Sequence, residues 1–175
     1  PLSSTSISDG FLQMTNLSSQ GGFLTIFYDR DLTTSQRPTN VTVAAWKSYR
    51  LKRKTVNTLS AECQSLIHGV GSLHWHRLML LECLGDHVSD FEWERHLAAL
   101  PFMAVVDSKS LYDCVNKCNN PASHVEDKRT AIDIAILRSG FQKSNGQLRW
   151  VDTRAMMTDP LTKNMKGDYL RHVLK

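Results

Sequence analysis

Hydrophobic positions along this chain change period several times, and each change predicts an element. Ser3 to Leu12 mixes polar and apolar residues, with Ile7, Phe11 and Leu12 available to pack and Asp9 amid them, and reads as a first strand. Asn16 to Gly22 (Asn-Leu-Ser-Ser-Gln-Gly-Gly) has the composition of a turn. Gly22 to Tyr28, rich in Phe, Leu and Ile, predicts a second strand, and Val41 to Tyr49, loosely alternating around Val41, Val43, Ala45 and Trp46, a third. Three consecutive strands with short connections imply an antiparallel meander. From Thr58 the period becomes helical. Leu59, Cys63, Leu66, Ile67, Val70, Leu73, Arg77, Leu78, Leu81 and Leu84 follow it, with Asn57 or Thr58 as the cap.

After a connector at 86–100 that holds a short helix, Pro101 to Val106 forms a buried strand that closes on Asp107. Helical spacing follows at once through Leu111, Cys114, Val115 and Cys118, with Ser108 able to cap it. A strand that ends in Asp and turns into a helix puts that carboxylate at the carboxyl edge of a sheet, where open α/β sheets carry their chemistry. Asp107 is equally suited to capping the helix. Asn119-Asn120-Pro121 is a turn. A helix runs from about Glu126 to Lys143, apolar on most sides, until Ser144-Asn145-Gly146 stops it. Leu148 to Val151 is a last strand, and Ala155 to Lys163 opens a helical region reaching Leu174. The order β-β-β-α-β-α-α-β-α predicts one α/β domain over 1–175, with helices on both faces of a mixed sheet and a helical tail at 160–175.

Charge adds one feature. The net charge of +4 and pI near 9.0 are mild, but Lys47, Arg50, Lys52, Arg53 and Lys54 crowd into one stretch with Trp46 and Tyr49 between them. Either the run protects an edge strand, or it is a rail for phosphates. The 175 residues fit a single core. The chain starts at Pro1, as a piece of a longer polypeptide would, and has neither a secretory signal nor an apolar run able to span a bilayer. Cys63, Cys83, Cys114 and Cys118 lack zinc-ligand spacing and read as free thiols. His74 and His76, two apart on a helix, point to different sides and read as surface or packing residues.

Four acids come from separate elements: Asp9 in the first strand, Glu62 in the first turn of the long helix, Asp107 after the fourth strand, and Asp159 near the start of the last helix. If the first and fourth strands are neighbours, the four can meet at one edge, where their mutual repulsion calls for cations. Hard divalent ions with oxygen ligands answer that need.

In the order of its motifs the chain resembles the ribonuclease H domain of the Pol polyprotein of copia-type LTR retrotransposons. The likeness rests on Ser8-Asp9 followed by Ser18-Ser19-Gln20-Gly21-Gly22-Phe23, on Ala45-Trp46-Lys47-Ser48, and on Thr58-Leu59-Ser60-Ala61-Glu62. It continues in Asp107-Ser108-Lys109-Ser110-Leu111, in Lys128-Arg129-Thr130 with Ile132-Asp133-Ile134, and in Thr158-Asp159-Pro160-Leu161-Thr162-Lys163. Three features depart from the pattern: Gly10-Phe11-Leu12 follows Asp9, the Gly85–Leu100 connector is longer and more aromatic, and no histidine lies between Val151 and Asp159.

The resemblance implies an RNase H-like mixed five-stranded sheet, three strands antiparallel and then two parallel. It implies cleavage of the RNA strand of RNA–DNA hybrids to 5′-phosphate and 3′-hydroxyl ends, with Asp9, Glu62, Asp107 and Asp159 holding two Mg2+ or Mn2+ ions. Lys47, Arg50, Lys52, Arg53, Lys54, Lys128 and Arg129 would contact the backbone, and Ser19, Gln20 and Gly21 the minor groove. The implied partners are the hybrid and the reverse transcriptase portion of the same polyprotein, and the implied place is intracellular, in a cytoplasmic virus-like particle or the nucleus. The alternative is a catalytically inactive nucleic-acid-binding or scaffolding module of the same fold.

Overall fold

The computed structural model describes residues 2–13, 18–29, 40–88, 91–117, 125–163 and 167–173, with 2–13, 18, 169 and 173 described by backbone alone. The meander consists of β1 (Leu2–Gln13), β2 (Ser18–Asp29) and β3 (Val41–Arg50). Helix α1 (Thr58–Cys83) and the short α2 (Trp93–Ala99) then lead to β4 (Phe102–Val106). Helices α3 (Lys109–Asn116) and α4 (Lys128–Lys143) precede β5 (Gly146–Trp150). A 3-10 turn (Thr153–Ala155) and two short helices, α5 (Asp159–Thr162) and α6 (Asp168–Val173), complete the described chain.

The strands lie in the order β3-β2-β1-β4-β5. β1 and β3 run antiparallel to β2, while β4 runs parallel to both β1 and β5. Between Thr25 and Ile26 the register with β3 shifts, leaving Ala44 as an extra residue in the edge strand, a bulge of the kind that twists an edge.

Of the turn expected at Asn16 to Gly22, Ser18 to Gly22 belong instead to β2, and Asn16 and Leu17 lie outside the described residues. Gly21 and Gly22 serve close approach here. A Cβ on Gly21 would lie 2.9 Å from the Tyr49 ring, and one on Gly22 would lie 2.9 Å from Leu161 Cβ. Ser19 is buried, with its hydroxyl against Thr55 and its carbonyl accepting from the Leu51 N–H at 2.8 Å.

α1 is capped by Asn57, whose side chain accepts from the Ser60 N–H at 2.8 Å. Its apolar stripe (Cys63, Leu66, Val70, Leu73) packs with β4 and α4 in the larger core, which also holds Phe102, Ala104, Val106, Ile134, Leu137 and Leu148. A smaller core gathers Leu24, Ile26 and Tyr28 of β2 with Met156.

Arg77 sits on the stripe of α1 and is fully buried. Its guanidinium donates to the carbonyls of Leu97, Leu100 and Ser144 and lies 4.6 Å from the centre of the Phe102 ring. That one side chain ties α1 to the end of α2 and to the turn before β5. Gly146 begins β5 where a Cβ would come within 2.3 Å of Phe102, so Phe102 and Phe141 stack over it, 5.5 Å between centroids. Cys63, Cys83 and Cys114 are free thiols, and Cys118 lies outside the described residues. Among the described residues no helix is long and apolar enough to cross a membrane.

Candidate active site

β4 is a short apolar strand with alternating burial, and the chain leaves it at Val106 under tight control. The Val151 N–H donates to the Val106 carbonyl at 3.0 Å, and the Trp150 indole donates to the Asp107 carbonyl at 2.9 Å. Ser108 accepts from the Leu111 N–H at 3.4 Å and so caps α3. The capping role open to Asp107 is therefore taken by its neighbour. Asp107 is half-buried, and its Oδ1 is enclosed without a hydrogen-bond partner among the described residues. Burial pushes its carboxyl above the ordinary carboxylate range; the Thr153 hydroxyl and the Lys163 ammonium pull it back, and the charge of Asp159 pushes it up again.

Asp159 stands at the start of α5 and is 7% exposed. Its Oδ1 holds Lys163 Nζ at 2.6 Å, one helical turn away. This short helix is seated on the meander. Leu161 and Thr162 rest on Gly22, and the Ser48 hydroxyl donates to the Leu161 carbonyl at 2.5 Å. Gly22 pairs with Ser48 on one side and with Asp9 on the other. Register thus puts Asp9 beside the strand position that carries α5, in the strand that runs parallel to β4.

Glu62 lies beyond the first turn of α1, between the buried Ala61 and Cys63, and is half-buried. The helix-end stabilisation expected of a first-turn acid does not apply to it. Among the described residues no three His, Cys, Asp or Glu side chains converge as a metal site. The charge of Asp159 acts on Asp107, no third acid is grouped with them among the described residues, and the Asp9 side chain lies outside what is described. The chemistry of the pair still fits a hard divalent cation. It offers carboxylate oxygens in a sheltered place, one of them, Asp107 Oδ1, with nothing to bond.

Of the residues expected to meet nucleic acid, Lys47, Arg50, Lys52, Arg53 and Lys54 are exposed around the end of β3, and Lys128 and Arg129 are exposed at the start of α4. Arg53 is ion-paired with Asp133, itself 8% exposed, so its charge is partly spent within the fold. Lys52, Arg53, Gln64, Ile67, His68 and Asp133 line a cleft of about 190 Å³. There burial first, and then Lys47 and Lys52, hold the His68 imidazole below its ordinary range. Ser19 and Gly21 are buried in β2, and half-buried Gln20 donates to the Ser48 hydroxyl at 2.9 Å. The groove-facing turn expected of these three is a strand packed on its neighbours. Sequence reasoning gave no role to Lys163 and none to Thr153. Lys163 stands four residues after Asp159, the spacing that signals an ion pair on a helix.

No protein-family model matches the sequence, nor does any curated protein. Solved structures do match in shape. LC11-RNase H1, isolated from compost by a metagenomic approach, aligns with a TM-score of 0.58 at 11% identity, covering 99% of each chain. The same enzyme in complex with an RNA/DNA hybrid aligns at 0.54 and 11% identity, over 95% of this chain and 99% of that one. RNase H1 from the halophilic archaeon Halobacterium salinarum aligns less well, with a TM-score of 0.48 at 13% identity over 97% and 98% of the two chains. The architecture assembled around Asp107 and Asp159 is thus an α/β ribonuclease H fold.

Proposed function

We propose that the chain hydrolyses the RNA strand of RNA–DNA hybrids, as the ribonuclease H domain of a copia-type retrotransposon Pol polyprotein. One observation carries the reading. A sheltered, unpartnered carboxylate oxygen of Asp107 stands at the carboxyl end of β4 beside Asp159, in a fold of ribonuclease H type. The retrotransposon setting rests on the ordered motifs from Ser8-Asp9 to Lys163.

Asp9, Glu62, Asp107 and Asp159 would hold two Mg2+ or Mn2+ ions. Bound there, such ions supply Lewis-acid stabilisation to the attacking and leaving oxygens of an in-line phosphodiester displacement. The chain's own residues do the rest. Trp150 and the Val151 N–H fix the backbone that presents Asp107, and Ser48 and Gly22 seat the helix that presents Asp159. Lys47, Arg50, Lys52 and Lys54, with Lys128 and Arg129, hold backbone phosphates without reading sequence. By the resemblance Glu62 would also lie near a ribose 2′-hydroxyl, the group that separates RNA from DNA. The reverse transcriptase portion of the same polyprotein would deliver the hybrid.

A second reading, a hybrid-binding module without catalysis, is favoured by the lack, among the described residues, of a third acid grouped with Asp107 and Asp159. A labelled RNA–DNA hybrid with Mg2+ or Mn2+ decides between them. The parent should cleave, and Asp107→Asn should be at least about a hundredfold slower. Hybrid binding without cleavage by the parent under either ion establishes the second reading, and equal rates remove Asp107 from the chemistry.

A further inference from the structure

We propose that Lys163 is the built-in counter-cation of this site: its ammonium neutralises the Asp159–Asp107 pair in the metal-free protein and must leave when a divalent ion binds. The proposal rests on the reading of these two carboxylates as ion-holding groups. A carboxylate sheltered from water beside another is stabilised by a cation held against it. Lys163 supplies one, 2.6 Å from Asp159 Oδ1 and close enough to Asp107 to draw its carboxyl downward.

The neutralisation is incomplete. One positive charge faces two carboxylates, and Asp107 Oδ1 has no hydrogen-bond partner among the described residues. A divalent ion supplies what the ammonium lacks, a second charge and further coordination directions.

The construction also permits exchange. The Lys163 N–H donates to the Asp159 carbonyl at 2.8 Å, so the backbone turn is closed whatever the side chain does. The Lys163 side chain is 31% exposed, against 10% for that of Asp159. Its flexible stem can carry the ammonium to water while the carboxylate stays in place. Ion entry is then a substitution, and the affinity for the ion is what remains after displacing the lysine.

The test is Mn2+ binding by titration calorimetry on the whole chain without nucleic acid, together with thermal melting with and without Mn2+. Lys163→Met should bind Mn2+ at least about tenfold more tightly than the parent, a coupling of the size that linked sites show. Its metal-free form should melt lower, so the gain in melting temperature on adding Mn2+ should widen. Lys163→Arg, which keeps the charge, should stay near the parent in both. Lys109→Met is the control for general loss of positive charge, since Lys109 is paired with Asp113 and not with the site acids; it should shift affinity less than about threefold. Unchanged or weaker Mn2+ binding in Lys163→Met, or an effect no larger than that of Lys109→Met, overturns the proposal. A parent that cleaves hybrid while Lys163→Met fails this test leaves the nuclease reading standing. A parent that cleaves nothing while Lys163→Met binds Mn2+ more tightly leaves the counter-cation standing without the nuclease.

Discussion

Arg77 and Lys163 are both cations drawn out of water, and their surroundings differ in kind. Arg77, fully buried, is met by three backbone carbonyls and the face of Phe102, and burial brings its guanidinium down to about 10. Lys163, partly exposed, is met by carboxylates. Carbonyl dipoles of the main chain are fixed by the fold and gain nothing from another ion, so the first cation is a clasp. Carboxylates accept any cation of suitable size, so the second is replaceable. Depth of burial does not separate a structural charge from a functional one, whereas the identity of the oxygens around it does.

The contrast can be broken most forcefully at Arg77. Arg77→Ala should cost about 3 kcal/mol or more in urea unfolding, since it leaves a void and three carbonyls, two of them buried, without this donor. In the fraction that remains folded, Mn2+ affinity should match the parent's. A change in ion affinity as large as that of Lys163→Met would erase the distinction between the two cations.

A smaller effect, with the opposite signature, is expected at Gly22. Gly22→Ala places a methyl 2.9 Å from Leu161 and Thr162 and pushes α5 off the meander. About 1–3 kcal/mol of stability should be lost. Hybrid cleavage should fall as well, because Asp159 moves with the helix. Full activity at reduced stability would mean that the seat of α5 is irrelevant to the site.

The smallest effect concerns His74, which lies edge-on to Phe102 at 5.2 Å. Burial, with Arg77 adding, lowers its value to about 4. Its folded value lies below the unfolded one, so its neutral form favours the folded state, and that stability is lost as pH falls from about 6.5 toward 4. His74→Phe keeps a ring on Phe102 and should flatten the stability profile across that window. An unchanged profile would place the acid sensitivity elsewhere.

The residues differ in how openly the sequence declares them. The strand ending at Asp107 was legible because an apolar run, a polar stop and a helix cap stand in unbroken succession. Asp159 was legible only through its motif, since a four-residue helix has no periodicity to read. Ser19, Gln20 and Gly21 were read as a turn because serine and glycine favour turns, whereas here they lie in β2, with Gly21 making room for Tyr49 and Gly22 for α5. Glu62 was placed one turn too early on α1, and which acids gather in space is a tertiary fact that local pattern does not encode. Arg53 looked like a free phosphate contact because its partner Asp133 comes from a helix far along the chain. Arg77 fell on the apolar stripe in the sequence, and a cation in such a row is itself a signal of a buried clasp.

The pairing of β1 with β4 joins the two ends of a long detour, with Ile7 opposite Val105 and the whole of α1 between them in the chain. The meander is made of near neighbours, but this seam is not. A copy cut short before Phe102 keeps β1 with its Asp9 and has no β4 for it to lie against. Premature termination before Phe102 therefore removes Asp107 and Asp159 altogether, and a cut in the connector leaves them on a different piece from Asp9 and Glu62.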